Sequence, residues 1–187
     1  TTMMGNTTGG NFYKFFGLQK NVLLVVDRAE YALPTSWRNR FLEQVGAQGT
    51  RILRVVDANQ TPKAMESEIT QTLAVNPAID SIICTTQNGT CAALRAVERY
   101  GRFVPILGAD FNQEIAQGIY DGTIRASIVR NSYAYGYMGI ENAIRILCGQ
   151  GIAETRTLDA LVINSENLFD PAYAPLLYDI TAAPDGD

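Results

Sequence analysis

Short apolar runs alternate along the chain with segments of helical periodicity, from residue 21 to about residue 164. The runs are rich in β-branched residues, which is typical of parallel strands that are buried on both faces. They cover residues 21–26, 52–56, 81–84, 105–107 and 126–129. The pattern therefore predicts five central strands, and a final extended segment follows them.

Between the strands, apolar residues recur at the three- and four-residue spacing of an amphipathic helix. The sets are Phe41, Leu42 and Val45; Met65, Ile69 and Leu73; Ala93, Leu94, Val97 and Tyr100; and Ile140, Ala143, Ile144 and Leu147. A glycine follows the predicted helix ends at positions 49, 101, 122 and 149. Glycine closes a helix in the left-handed conformation at the lowest cost because it has no side chain. Each of these ends therefore has its own stop signal.

Strands that alternate with helices predict a parallel sheet, because a short turn cannot return the chain to the same edge. We expect an α/β fold with a doubly wound, parallel, five-stranded sheet in the flavodoxin-like order 2-1-3-4-5. A length of 187 residues favours one domain. We assign residues 1–20 to a lead-in with a short helix, 21–165 to the α/β lobe and 166–187 to a carboxy-terminal tail.

In open α/β sheets, ligands bind at the carboxyl ends of the strands, near the point where the strand order reverses. The segments that follow the predicted strands combine hydrogen-bonding side chains with aromatic neighbours, whereas the opposite edge consists mostly of plain connections. These segments are residues 27–37, 57–60, 85–88, 110–112 and 130–131. Asp, Asn, Gln and Arg can bond several hydroxyl groups while Trp or Phe covers the apolar face of a sugar. The pattern favours a polyhydroxyl ligand.

Two charged residues at strand ends each have two interpretations. Asp110 could accept hydrogen bonds from two neighbouring ligand hydroxyls, or it could cap the next helix, a role for which Asn112 is equally well placed. Arg130 could bind a ligand through its fork of donors, or it could be a solvated charge.

Two other segments are also open to a structural and a binding interpretation. Trp37, the single tryptophan, could line the cleft or pack in the core. In the polar loop after the third strand, Asn88 is expected to cap the helix, while Thr86 or Gln87 could face a ligand.

The composition of the chain argues against several classes of function. The net charge of −4 leaves no surplus of basic residues for phosphate, so we expect no direct nucleic-acid binding. The absence of histidine removes the commonest general base and metal ligand, and with them the usual Ser/His/Asp, Cys/His and zinc-hydrolase arrangements, so we expect no hydrolytic catalysis. Our overall expectation is a non-catalytic protein without a cofactor. Cys84, Cys91 and Cys148 form neither a CxxC pair nor an even disulfide framework, and we interpret them as small apolar residues in or near the core.

An enzyme is the catalytic alternative. Asp27, Asp57 and Asp110 all end strands and could form an acidic, magnesium-binding edge of the kind found in receiver domains or phosphotransferases. A receiver also needs a lysine after its last strand, where this chain has Arg130. The glycine-rich opening matches neither GxGxxG nor a GxxxxGK[ST] phosphate loop and does not follow a strand.

Two longer segments have a family resemblance. Residues 106–147 read ILGADFNQEIAQGIYDGTIRASIVRNSYAYGYMGIENAIRIL, and residues 76–101 read NPAIDSIICTTQNGTCAALRAVERYG. Both resemble type I periplasmic sugar-binding proteins, the ribose- and galactose-binding group, whose fold is shared by the effector domains of lac-repressor-like regulators. Residues 158–168, LDALVINSENL, resemble the binding-protein ending more than the regulator ending. The likeness covers about residues 5–168.

The resemblance implies a lobe that closes on a sugar, with Asp110, Thr86 and Arg130 at ligand-contact positions. Where relatives commonly have an arginine before the first helix, this chain has Trp37 with Arg38 beside it. Gln60 falls where some relatives have a contacting aromatic residue.

The resemblance also implies which partners the lobe has. About the first two-fifths of a typical member, its amino-terminal lobe, has no counterpart here, and residues 5–17 resemble the helix with which the second lobe begins. The expected partners are a sugar, the complementary amino-terminal lobe or a second chain, and a membrane permease or sensor. The alternative is a ligand-sensing domain of a signalling or transcriptional regulator.

An exported bacterial binding protein, periplasmic or extracellular, is the implied location. The opening TTMMGNTTGG lacks the charged start and apolar stretch of a secretion signal. We therefore expect either that a signal has been removed or that the chain begins partway through a larger protein.

Overall fold

The computed structural model describes residues 12, 14–17, 20–27, 39, 41, 43–44, 49–130, 132–151 and 160–173. The helices and strands in this part of the chain follow the predicted alternation. They are β1 (Asn21–Val26), β2 (Arg51–Asp57), α1 (Pro62–Val75), β3 (Ser81–Cys84), α2 (Gln87–Tyr100), β4 (Ile106–Ala109), α3 (Gln113–Tyr120), β5 (Ile124–Val129), α4 (Ser132–Leu147) and β6 (Leu161–Asn164). The helix predicted around Phe41 lies mostly outside the described residues.

The sheet has the order β2-β1-β3-β4-β5-β6. Strands β1 to β5 are parallel, which confirms the predicted α/β fold and the order 2-1-3-4-5. The predicted number of five strands is one short, because the final extended segment joins the sheet as β6, antiparallel to β5. An added antiparallel strand pairs the backbone groups that β5 would otherwise leave open at the edge.

Both faces of the sheet are buried. Alternate residues of β1 point to opposite faces, as the two-residue period of a strand requires. Leu23 and Val25 pack in one apolar cluster with residues of α1, α2 and α3. Val22, Leu24 and Val26 pack in a second cluster with the following aromatic residues: Phe12, Phe16 and Phe41. Burial on both sides explains why the strands read as continuous apolar runs.

The predicted helix ends agree with the backbone. The glycines at positions 49, 101, 122 and 149 all have positive φ. Gly101 closes α2 in the left-handed conformation, and its N–H donates to the carbonyl of Val97. None of the described helices combines the length and apolar character needed to cross a lipid bilayer.

The three cysteines are free thiols in two different environments. Cys84 and Cys91 are buried, as predicted, whereas Cys148 is exposed, so its assignment to the core was wrong. Cys148 follows α4, whose apolar residues are themselves exposed. Burial raises the pKa of the Cys84 thiol, and the neighbouring Cys91 raises it further. Burial also raises the pKa of Cys91.

We expect a single fast-reacting thiol in the folded chain. The thiolate is the reactive form, so burial and a raised pKa both slow Cys84 and Cys91 at pH 8. Titration with a thiol-specific chromogenic reagent should give one rapid equivalent per folded chain, at Cys148, and three after unfolding in guanidinium. Two or more rapid equivalents in the folded protein would contradict the described core.

Candidate functional site

Three of the predicted site residues lie along one edge of the sheet. Asp110 follows β4, Arg130 follows β5, and Thr86 lies two residues after β3. Strands β3, β4 and β5 are parallel neighbours, so their carboxyl ends meet at the same edge. The structure therefore brings these three residues to the edge that the sheet topology identifies as ligand-binding. We call this edge, with Thr86, Gln87, Asp110 and Arg130, the candidate edge.

Asp110 and Arg130 form a two-point ion pair. Arg130 Nε lies 3.2 Å from Asp110 Oδ1, and Arg130 Nη2 lies 3.1 Å from Asp110 Oδ2. The side chain of Arg130 is 56% exposed and that of Asp110 is 22% exposed, so the pair opens to solvent. Each carboxylate oxygen can accept more than one hydrogen bond. The pair therefore presents an oriented acceptor beside a cation, a combination suited to ligand hydroxyl groups.

The backbone of Asp110 has an unusual conformation. Among the described residues it is the non-glycine residue with positive φ, at 61°. Its N–H donates to the carbonyl of Ile128 at 2.9 Å, and its carbonyl accepts from Ser127 Oγ at 2.6 Å. Such a conformation costs on the order of 1 kcal/mol and persists where surrounding contacts fix it, often at binding sites. Strand β5 thus sets the direction of the Asp110 side chain.

The helix-cap interpretation of Asp110 is excluded. Asn112 caps α3, because its Oδ1 accepts a hydrogen bond from the N–H of Ile115 at 2.8 Å. The Asp110 carboxylate is directed instead to Arg130. Of the two residues that the sequence made equally suitable as caps, the structure uses Asn112.

Thr86 caps α2, which corrects the expectation that Asn88 does so. Thr86 has an extended backbone, and its Oγ1 accepts from the N–H of Gly89 at 3.1 Å. Asn88 is an exposed residue already inside the first turn of the helix. The Thr86 hydroxyl keeps its own O–H as a donor. Gln87, the first residue of α2, is exposed beside it.

Thr90 joins the start of α2 to the end of β4. Its fully buried hydroxyl accepts from the N–H of Ala109 at 3.0 Å and lies 2.9 Å from the carbonyl of Thr86. A Cβ on Gly108 would lie 2.6 Å from Thr90 Cγ2, so the helix approaches the strand closely at this point. Sequence reasoning did not single out Thr90 or Ser127. For Thr90, the available signal was a small polar residue on the buried side of the first turn of a helix.

Of the other predicted site residues, Gln60 lies apart from the candidate edge. Gln60 follows β2, three strand positions from β4, roughly 14 Å away. Its Nε2 donates to Glu68 Oε2 at 2.6 Å and to the carbonyl of Asp57 at 3.2 Å, so its amide already has protein partners. Trp37 and Arg38 lie outside the described residues.

In the part of the chain that the structure describes, two open surface clefts lie at α3, and the larger, of about 540 Å³, is lined by Asn112, Gln113, Glu114 and Gln117. The smaller cleft, of about 260 Å³, lies between α3 and the segment after β6. It is lined by Gln113, Ala116, Gln117, Tyr120, Leu168 and Phe169. Among the described residues, no group of three Cys, Asp or Glu side chains is placed to hold a metal ion.

A family model for the periplasmic binding protein domain matches residues 2–151. This chain belongs to the periplasmic binding protein domain family. The match confirms the resemblance found in the sequence. No relative was found among curated protein sequences.

Solved structures of this family share the fold of the lobe. A sugar ABC transport substrate-binding protein from Bordetella parapertussis superposes with a TM-score of 0.82 at 19% identity, covering 97% of this chain and 61% of its own. A solute-binding protein from Agrobacterium vitis with bound α-D-tagatopyranose has a TM-score of 0.82 at 19% identity, and the match covers 95% of this chain and 61% of that protein. A glucose-galactose binding protein from Geobacillus stearothermophilus has a TM-score of 0.78 at 19% identity, and the match covers 89% of this chain and 61% of that protein. The periplasmic binding protein lobe described here thus spans about three-fifths of each of these proteins.

Proposed function

We propose that this chain binds a monosaccharide, without transforming it, as the carboxy-terminal lobe of an ABC-transporter-type substrate-binding protein. The convergence of Thr86, Asp110 and Arg130 at the candidate edge is the observation that carries the proposal. Structural relatives include proteins with bound tagatose, fucose and allose, which supports a sugar as the ligand. Export to the periplasm or cell surface, and delivery to a permease, follow from the same proposal.

Each residue of the candidate edge has a role in the proposed complex. The Asp110 carboxylate accepts hydrogen bonds from two adjacent hydroxyls, while Arg130 orients that carboxylate and donates to a third ligand oxygen. The Thr86 hydroxyl and the Gln87 amide complete the polar wall on the α2 side. Trp37 and Arg38 after β1, and Gln60 after β2, are further proposed contacts from the sequence.

One lobe supplies one wall of the cleft. Ligand sites bury most of their ligand, so half a cleft is expected to bind weakly and the closed, two-walled form tightly. Closure around the ligand is the conformational signal that a permease or sensor reads. The partners are therefore the sugar, the complementary lobe or a second chain, and a membrane permease or sensor.

Calorimetry tests the proposal. The chain, alone and joined to the amino-terminal lobe of the Bordetella parapertussis relative, is titrated with glucose, galactose, arabinose, fucose, allose and tagatose. We expect heat with at least one sugar and a lower Kd in the joined protein. Absence of heat with every sugar in the joined, folded protein would count against sugar binding. Inorganic phosphate and an amino acid serve as ligand-class controls.

A sensory role is the second candidate. One structural relative is a XylFII–LytSN complex, in which a similar lobe is part of an assembly with a second protein. In a sensor, ligand binding changes how subunits associate rather than delivering cargo. A DNA-binding or membrane-spanning segment in the same gene product would favour this candidate over transport.

A further inference from the structure

Thr85 lies at the point where the order of the strands reverses. From β1 the chain passes to β2 on one side, whereas β3, β4 and β5 lie on the other side. Thr85 directly follows β3, and its N–H donates to the carbonyl of Val25 in β1 at 3.1 Å. The residue therefore joins the carboxyl ends of the two strands that flank the reversal. Ligands of open α/β sheets bind in the crevice at this point.

The hydroxyl of Thr85 is buried at its Oγ1 atom and has no hydrogen-bond partner among the described residues. The hydroxyls of Thr86, Thr90 and Ser127, which surround the candidate edge, all have partners in the protein. Buried polar groups are nearly always paired, because an unpaired group has lost its bonds to water without replacement. A valine of similar shape would avoid this loss. The unpaired hydroxyl therefore indicates a hydrogen bond that forms in another state of the lobe.

Rotation about one side-chain bond can bring the Thr85 hydroxyl out of its buried position. Thr85 as a whole is partly exposed while its Oγ1 is buried, so its exposed surface belongs to other atoms. The staggered positions at Cβ are about 120° apart. Exposed side chains exchange between such positions in picoseconds to nanoseconds. The hydroxyl can thus turn toward the crevice while the backbone bond to Val25 stays in place.

We propose that Thr85 is a further ligand-contacting residue, whose hydroxyl is unpaired in the conformation described here and turns to bond a sugar hydroxyl in the complex. Its O–H can donate and its oxygen can accept, which suits a ligand hydroxyl. The contact extends the candidate edge into the crevice between β1 and β3. It rests on the sugar binding proposed above.

Replacement of Thr85 with valine separates a ligand contact from a structural one. Titration of the full chain with a sugar, followed by NMR, should show a Kd raised about 3- to 10-fold, the range of one neutral hydrogen bond. The urea midpoint of unfolding should stay the same or rise, because valine buries no unpaired oxygen. An unchanged Kd would overturn the proposal. A raised Kd accompanied by a lower urea midpoint would overturn it in favour of a structural role.

Thr50→Val is the matched control. Thr50 is buried and directly precedes β2, at the opposite edge of the sheet, and its Oγ1 likewise has no partner in the described part of the chain. The same chemical change there should leave the Kd unchanged and the urea midpoint the same or higher. Thr85→Ser keeps the hydroxyl and should keep the Kd near that of the unmodified chain. Equal changes in Kd for Thr50→Val and Thr85→Val would contradict a contact at Thr85.

The rotation of the side chain is measured separately. Three-bond NMR couplings from Thr85 Cγ2 to the backbone nitrogen and carbonyl carbon report the side-chain angle. We expect these couplings to differ between the chain without sugar and the chain saturated with sugar. Identical couplings in the two samples would exclude the proposed turn of the hydroxyl.

Two outcomes distinguish this contact from the proposed function. Sugar binding that is indifferent to Thr85→Val overturns the Thr85 contact and leaves monosaccharide binding in place. Absence of binding with every sugar of the panel, by the chain alone and by the joined protein, overturns both.

Discussion

Replacement of Asp110 with asparagine is expected to weaken monosaccharide binding by about 10- to 150-fold. A hydrogen bond to a charged group is worth about 1.5–3 kcal/mol, and the amide keeps one acceptor but loses the charge and the second acceptor. Asparagine also tolerates the positive φ of this position, so the backbone should not move. The ratio of Kd values for one sugar, by calorimetry or by ligand-observed NMR for weak binding, measures the effect.

Asp121→Asn is the matched control. Asp121 is exposed and follows α3 at the opposite edge of the sheet, where its carboxylate accepts from Gln117 Nε2 at 3.0 Å. The same chemical change there should leave the Kd unchanged. Equal loss in both variants, or no loss in Asp110→Asn, would contradict the role of the candidate edge. The exposed ion pair itself contributes little, about 0–1 kcal/mol, so both variants should remain folded.

Replacement of Thr90 with valine is expected to lower the free energy of unfolding by about 1–3 kcal/mol, because it leaves the Ala109 N–H buried without its acceptor. Valine has nearly the same shape, so the contact with Gly108 is preserved. We also expect weaker sugar binding, because Ala109 immediately precedes Asp110. Urea unfolding and a sugar titration measure the two effects.

Thr90→Ser separates the hydroxyl from the methyl group. Serine keeps the hydroxyl that accepts from Ala109 and loses the methyl that contacts Gly108. The serine variant should therefore retain more of the sugar affinity than the valine variant, at a modest cost in stability. If the valine variant binds sugar as tightly as the unmodified chain, Thr90 does not position Asp110.

The strands were predictable because burial on both faces makes most of them short apolar runs. Their order was predictable because strands that alternate with helices form a parallel, doubly wound sheet. The antiparallel β6 was harder to predict, since four residues at a sheet edge, Leu161–Asn164, carry no signal for their direction. For α4 the helical period was correct, but the period does not say what the apolar side faces. Ile140 and Leu147 are exposed in the structure.

The composition of the candidate edge was predictable, whereas its internal contacts were not. The chain order places Asp110 and Arg130 at the ends of successive strands, and their opposite charges were a signal that the two could pair. The positive φ of Asp110 and its bonds to Ser127 and Ile128 depend on the register of β4 with β5, which the sequence does not state. Asn88 and Thr86 are both favoured caps, and the backbone at Thr86 decides between them.

Backbone amide NMR tests most directly whether the candidate edge contacts the sugar. The isotope-labelled full chain is titrated with a monosaccharide that binds, and the chemical-shift change of each amide is mapped onto the structure. Millimolar affinity is sufficient for this measurement, so the single lobe can be used. We expect shifts concentrated at residues 85–87, 110–112 and 130. Shifts confined to the cleft lined by Tyr120 and Phe169, or no shifts with any sugar of the panel, would contradict this expectation.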